Sequence, residues 1–381
     1  MPDDLTSGAQ VRVGVGWQGD PTDPAAWSGI LRNLIGGLEG LGVTVRTVRA
    51  EAPVLARVNR SLRRGFSDVA GSRLDAALNS FAARRALSRE GRLDGVVHIG
   101  SGYLLPAGVR VVTWEDMTVA QAVRMPDDQY AHLSATAVRR WRERQEHIYE
   151  RAHACCVASH WARDSVVHDY GVAPERVHVV GFGRNAAPVD AIERDWTSPR
   201  FLFVGRQWER KNGPAVLRAF ARLRGEVPSV RLDLVGGHPP VEVDGVVGHG
   251  LLRFGVPADR ERYATLVREA TCMVMPSLYE PFGVAHLDAG ATGMPSIGSA
   301  VGGAAEAIGD GGLVVAPEDD DALLAAMRRM CDPRAAREMG VAARRNSDRF
   351  TWPLVAQRVL RALQPPGVDL EALAPFVDQG R

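Results

Sequence analysis

Short apolar runs, most of them rich in valine, recur along the chain and are separated by longer stretches of mixed polar and apolar residues. The first series is Val11 to Gly16, Val43 to Val48, Gly95 to Ile99, Val109 to Trp114, Ala154 to Ala158 and Val177 to Gly181. Runs of this kind read as strands buried on both faces, and the helical stretches between them make β-α-β units of a mostly parallel sheet with helices on either side. The rhythm restarts at Phe201 to Gly205 and continues through Val230 to Val235, Cys272 to Pro276, Pro295 to Ser299 and Leu313 to Ala316. A second sheet of the same class is therefore predicted. Between the two series, Asn185 to Pro199 has the Pro, Ser and Asp content of a linker. The expected division is a first domain over 1–190, a second over 191–355, and a terminal helix and tail over 356–381 that packs back on the first.

Two charged runs are better explained by helices than by ligands. A long helix is predicted from Tyr130 to Ala154, with Trp141, Ile148 and Ala152 on one side, and its Arg139 to Arg144 stretch is interrupted by Glu143, as on a solvated face. Asp319 to Asp321 precede Ala322 to Met327, where acids cap a helix and complement its dipole.

The chain has 381 residues, long for one core and ample for two. Its net charge of +1, from 46 Lys plus Arg against 45 Asp plus Glu, leaves no broad field to hold nucleic acid or an anionic bilayer. Phosphate binding must be local. The first residues lack a basic stretch followed by an apolar one, and no later segment reaches a spanning length, so a cytoplasmic chain without membrane spans is expected. Cys155 and Cys156 are adjacent while Cys272 and Cys331 stand apart, a spacing for neither a disulfide framework nor a metal cluster.

Within this arginine-rich composition a single lysine stands out. Lys211 follows Gly205-Arg206 at the end of an apolar run, where an open α/β sheet places ligands, and an ammonium is a compact charge suited to phosphate. Farther on, Glu280-Pro-Phe282-Gly283-Val284 leads from a strand into a helix that is predicted to start near Val284 and stop at Gly293. Free N–H groups at a helix start bind anions, and a loop carboxylate beside them accepts hydrogen bonds from hydroxyls. Phosphate on one side and a polyol on the other describe a nucleotide sugar, with Asp288, one turn beyond Val284, placed for a ribose diol. Taken singly, each motif reads equally as a surface lysine, a loop charge and a surface acid.

Together and in this order, the motifs resemble the retaining nucleotide-sugar glycosyltransferases of family four, whose GT-B fold has two facing Rossmann-like domains with a donor and acceptor cleft between them. Gly205-Arg206, Lys211, Glu280 and Asp288 fall on the family's Gly-Arg, Lys and E-x7-E positions, with Asp for the second Glu. Val235 to Gly237, Phe254-Gly255, and Gly302-Gly303 through Glu306 extend the likeness over nearly the whole chain. The resemblance implies that Arg206 and Lys211 neutralise the donor diphosphate and that Glu280 holds sugar hydroxyls. It places backbone N–H groups at Phe282, Gly283 and Val284 on the sugar or diphosphate, Asp288 on the ribose, and the base near Gly237, Phe254 and Val256. No metal or other cofactor is implied beyond the nucleotide sugar itself as co-substrate.

In the first domain, Gly14-Val-Gly16-Trp17-Gln-Gly19 follows the first strand and Ala26-Trp27-Ser28-Gly29-Ile30 is predicted to open the next helix. The dinucleotide-binding fingerprint is not matched, which argues against a nicotinamide enzyme; by the resemblance Gly16, Gly19, Ser28 and Gly29 approach the donor phosphates. Where many family members have His-Asp, this chain has Glu115-Asp116. Asp116 first and Glu115 second are candidates to position the donor sugar or take the acceptor's proton, and the pair reads equally as a cap for the following helix. His98 and His160 read as structural. The activity implied is metal-independent transfer of a sugar to a hydroxyl of a natural product, polysaccharide or lipid. The alternatives are a catalytically weak nucleotide-sugar-binding scaffold and a GT-B epimerase or phosphorylase.

Overall fold

The computed structural model describes residues 11–23, 26–51, 72–125, 133–186, 192–253 and 255–377. The chain forms two compact units, Met1–Gly183 with Trp352–Arg381, and Arg184–Thr351. The divisions fall at 183/184 and 351/352, against the expected 190 and 355.

In the first unit, β1 (Arg12–Trp17), β2 (Thr44–Arg49), β3 (Gly95–Ile99), β4 (Val111–Glu115), β5 (Ala154–Val157) and β6 (Val177–Val179) form a parallel sheet in the order β2-β1-β3-β4-β5-β6. Val13, Val15, Val96, Val97 and Val112 are buried within it, each side chain contributing about 1.5–3 kcal/mol. The helix Trp352–Leu363 lies against the helix Ile30–Glu39: a Cβ on Gly37 would stand 2.8 Å from the Trp352 carbonyl oxygen, and one on Gly95 2.6 Å from Leu363 Cδ1. Glycine at both positions lets the terminal helix close on the sheet.

The long helix runs from Ala135 to Arg151, capped by the Ser134 hydroxyl accepting from Ala137 N–H. Its predicted start at Tyr130 lies outside the described residues. The inward face carries polar Gln145 beside Ile148 and Tyr149. At Ala26–Gly29 the predicted helix opening is absent. Trp27 (φ 45°) and Ser28 (φ 57°) are left-handed, Gly29 (φ 81°) follows, and the helix begins at Ile30. Left-handed non-glycine residues cost of order 1–3 kcal/mol each. Opposing that cost, the Trp27 ring stacks parallel on Trp17 at 5.9 Å and meets the edges of Trp114 and Phe182 at 5.7 and 5.1 Å.

In the second unit, β7 (Arg200–Gly205), β8 (Arg231–Gly236), β9 (Val246–Gly248), β10 (Cys272–Met275), β11 (Ser296–Ser299) and β12 (Gly312–Val315) give the parallel order β12-β11-β10-β7-β8-β9. Phe201, Phe203, Phe220, Leu232, Leu234 and Val274 fill its core. The edge strand β9 has three half-exposed or exposed residues and no apolar run to announce it. Asp319 caps the helix Asp320–Met330 by accepting from Ala322 N–H, as the sequence predicts. The expected linker is in part a structural tie: buried Arg194 donates to the carbonyls of Val267, Ala270 and Thr292 and to the Thr292 hydroxyl. Residues 187–191 lie outside the described residues.

Candidate functional site

In each unit the strand order reverses direction at one point, between β7 and β10 in the second and between β1 and β3 in the first. Loops diverge there beyond the carboxyl ends of the strands, and α/β proteins bind ligands in the space they leave. Lys211 comes from the loop after β7 and Glu280 from the loop after β10, so the two motifs meet at the second unit's switch point.

Close backbone packing builds this site. Lys211, Asn212 and Gly213 N–H donate to the Gln207, Glu209 and Trp208 carbonyls, which folds the 205–213 loop on itself. Asn212 is left-handed at φ 59°, a conformation Asn tolerates, and its buried amide donates to Pro276 and Pro317 carbonyls. Sequence reading passed over Asn212, although Asn before Gly is a turn signal. Gly205 leaves room for the Lys211 stem, which would lie 2.9 Å from any Cβ there. A Cβ on Gly236 would stand 1.9 Å from the Gly205 oxygen and one on Gly237 2.2 Å from the Arg206 oxygen. Gly237 N–H donates to the Gly205 carbonyl at 2.9 Å. On the other side, Glu280 N–H donates to Val301 and Gly303 N–H to Glu280 oxygen, with Gly302 (φ 110°) so close that a Cβ would meet that oxygen at 2.0 Å.

The side chains form one charged cluster. Lys211 Nζ donates to Glu280 Oε2, which also accepts from the Ser277 hydroxyl at 3.1 Å. Their side chains are only 14% and 9% exposed. Burial draws the Lys211 ammonium below its ordinary range, with Glu280 opposing; for Glu280 burial pushes the other way, and the charges of Lys211 and Arg210 outweigh it and keep the carboxylate ionised. Arg206 is exposed, and among the described residues no ion pair or side-chain hydrogen bond engages it. Gly283 (φ 90°) precedes the helix Val284–Ala291, whose first N–H groups are free of intrahelical partners. Phe282 is buried edge-on against Phe350 at 5.6 Å, leaving its backbone as the contribution to any ligand. His286, inside the same helix, is buried with no partner for either ring nitrogen among the described residues, and burial holds it neutral with a pKa of about 4.

Asp288 has a task within the fold: its Oδ1 accepts from Asn185 and Ala186 N–H, both at 2.7 Å. Burial raises its pKa to about 6 against those two donors. Val256 caps the helix Pro257–Glu269 by its backbone; Phe254 lies outside the described residues.

In the first unit, a Cβ on Gly16 would meet the Tyr103 hydroxyl at 2.6 Å, and Gly19 is left-handed at φ 127°. Glu115 ends β4 and is held from the long helix: its Oε2 accepts from Gln145 Nε2 at 2.7 Å and its Oε1 from the Tyr149 hydroxyl. Burial pushes its pKa up to about 8, Asp116 adding to the rise and Tyr149 and Gln145 opposing it. Neither Glu115 nor Asp116 caps the next helix. Thr118 does, in a reciprocal capping box with Gln121, because it occupies the N-cap position and they do not. His98 is buried and stacks on Tyr103 at 4.3 Å; His160 begins the helix His160–Tyr170. Among the described residues no three His, Cys, Asp or Glu side chains are grouped to hold a metal ion, and no helix is long and apolar enough to cross a membrane.

Comparison with known proteins supplies the wider context. Residues 198–332 match the family model described as glycosyl transferases group 1. A glycogen synthase of Mycobacterium tuberculosis (strain ATCC 25618 / H37Rv) is 34% identical over 212 residues, 53% of this chain and 51% of that protein. The chain thus spans about half the length of this curated relative. Among solved structures, sucrose-phosphate synthase from Thermosynechococcus elongatus aligns with a TM-score of 0.62 at 21% identity, over 93% of this chain and 98% of that one. The Anabaena protein HepE, in complex with UDP and glucose, aligns with a TM-score of 0.57 at 15% identity, over 93% and 100%. The two parallel-sheet units are those of the GT-B fold.

Proposed function

We propose that this chain, a member of the glycosyl transferases group 1 family through residues 198–332, transfers a glycosyl group from a nucleotide diphosphate sugar to an acceptor hydroxyl, with retention and without a metal ion. The observation that carries the reading is the Lys211–Glu280 pair at the second unit's switch point, with exposed Arg206 beside it. Arg206 and Lys211 supply fixed positive charge for a diphosphate whose negative charge grows as the bond from the anomeric carbon to phosphate breaks, the largest electrostatic lever such a site has. Glu280, kept ionised, accepts from sugar hydroxyls. The N–H groups ahead of Val284 take a phosphate or hydroxyl oxygen. The acceptor oxygen bonds the anomeric carbon on the face the diphosphate leaves, and its proton passes to the departing phosphate oxygen, so no covalent protein nucleophile is required. That HepE was crystallised with UDP and glucose supports the donor class.

The test is release of free nucleotide from a nucleotide-sugar panel by the intact protein, with Lys211→Ala and Glu280→Ala beside it and with a chelator present. Turnover lost in both variants and indifferent to chelator is the expected result. Unchanged turnover in both, or a strict requirement for a divalent ion, overturns it. A binding protein of weak activity is the second reading, favoured by Glu115 where a histidine was expected and by its engagement with Gln145 and Tyr149. Calorimetric nucleotide-sugar binding without turnover would select it.

A further inference from the structure

The first unit holds a cavity of about 210 Å³ between the loop that follows β3 and the last turns of the helix Ala135–Arg151. Leu105, Val111, Ile148 and Ala152, all buried, supply its apolar wall. An apolar cavity of about 150 Å³ takes up benzene, so this one has room for a ring and a few further heavy atoms. Two polar groups break the apolar lining, one buried and one at the mouth.

The buried group is His98. It shares a sheet face with Val111, because β3 and β4 pair Val96 with Val111 and His98 with Thr113, and residues two apart in a strand point the same way. Only 2% of His98 is exposed, and its ring is fixed by a parallel stack on Tyr103. One ring nitrogen bonds the Gly100 backbone in a contact that favours the protonated ring, so it is an N–H donating to the carbonyl. Burial outweighs that bond and holds the imidazole neutral, with a pKa of about 4. Nε2 therefore keeps its lone pair, and it has no partner among the described residues. A buried acceptor of this kind calls for a donor. The group at the mouth is Arg151, exposed, 3.4 Å from the His147 ring and in no ion pair among the described residues.

We propose that the cavity binds a small monocyclic acid of the hydroxybenzoate class, with its ring among Leu105, Val111 and Ile148, its hydroxyl donating to His98 Nε2 and its carboxylate at Arg151. Water alone could supply the donor but would bring no apolar surface to the wall, which would then forgo its dispersion contacts. A wholly apolar guest would leave Nε2 unpaired. A flexible chain of equal bulk would lose more rotamer freedom on entry than a rigid ring does. The cavity shares no residue with the Lys211–Glu280 cluster, so the proposal stands or falls separately from the transferase reading.

The experiment is calorimetry and imidazole nitrogen NMR of the intact protein with three probes of matched shape: 4-hydroxybenzoate, 4-methylbenzoate, which lacks the donor, and p-cresol, which lacks the carboxylate. No nucleotide sugar is present. In the wild type, 4-hydroxybenzoate is expected to bind about tenfold more tightly than either of the others and to move the His98 Nε2 resonance upfield as the lone pair accepts the hydroxyl. His98→Phe, which keeps a ring to stack on Tyr103, should erase the preference over 4-methylbenzoate. Arg151→Gln, at an exposed position, should erase the preference over p-cresol. Equal affinity for 4-hydroxybenzoate and 4-methylbenzoate in the wild type overturns the proposal, as does equal affinity for 4-hydroxybenzoate and p-cresol. Failure of all three probes to bind with Nε2 unmoved overturns it too and leaves water as the occupant. If His98→Phe does not fold, the wild-type probes and the Nε2 resonance decide.

Discussion

Lys211 donates from Nζ to Oε2 of Glu280, so the two charges that define the second unit's site meet each other across 69 residues of sequence. On the proposed function, a diphosphate and a sugar would share an ion pair that exists before they arrive. Lys211→Ala and Glu280→Ala should each lower turnover about 100- to 1,000-fold, the scale for removing one preorganised electrostatic contact.

The same pair has a stability signature. Either single substitution strands a buried charge and should destabilise the second unit by about 3 kcal/mol, while the double variant loses less than the sum, because neither charge is then left unpaired. Urea unfolding of all four proteins measures the coupling; strictly additive losses would show that the pair is not coupled in solution.

Gly302 is predicted to tolerate no side chain. Its φ of 110° and the 2.0 Å approach of a Cβ to the Glu280 oxygen mean that Gly302→Ala must displace the backbone that carries Glu280. A loss of about 3 kcal/mol or more should appear together with lost nucleotide-sugar binding, read by thermal melting and calorimetry. A variant that binds as tightly as wild type would refute the backbone role.

Two adjacent glycines in the helix Ile30–Glu39 should respond in opposite directions. Gly36 is exposed with nothing within 4 Å of a Cβ, so Gly36→Ala should stabilise by about 0.5–1 kcal/mol. Gly37→Ala should destabilise, its Cβ falling 2.8 Å from the Trp352 carbonyl oxygen. Equal melting temperatures for the two variants would contradict the packing of the terminal helix.

Glu115 should make the first unit less stable at alkaline pH. Its folded pKa of about 8 lies above the ordinary value of 4.5, so the folded state binds the proton more tightly. That contribution is complete below the unfolded pKa and is lost as pH rises through about 8. Melting temperature should fall between pH 6.5 and 9 in the wild type and fall less in Glu115→Gln, which imitates the protonated carboxyl. Asp288, raised to about 6, acts in the same sense at lower pH, below the window measured. An identical slope in the variant would remove Glu115 as the source.

Much of the fold was legible because parallel strands buried on both faces leave continuous apolar runs, as at Phe201 to Gly205, and because caps such as Asp319 are local. β9 was not, since three partly exposed residues leave no such run. Arg206, Lys211 and Glu280 could be picked out by residue type and order. The direct pairing of Lys211 with Glu280 could not, nor the hold of Gln145 and Tyr149 on Glu115, because these contacts join residues 30 to 69 positions apart. Arg194 shows the opposite failure: a segment polar enough to read as a linker is tied down by a guanidinium whose acceptors all lie at least 73 residues ahead. The left-handed turn at Trp27 and Ser28 is set by the aromatic stack, a tertiary demand that local preference opposes.

The helix Trp352–Leu363 belongs to the first unit although the chain reaches it only after the whole of the second. A ribosome therefore delivers every residue of Arg184–Thr351 while the first sheet still lacks the segment that covers Gly37 and Gly95. The unit begun first is finished last, and the nascent chain carries an uncapped apolar face through the entire synthesis of its neighbour, the interval in which a chaperone would find it.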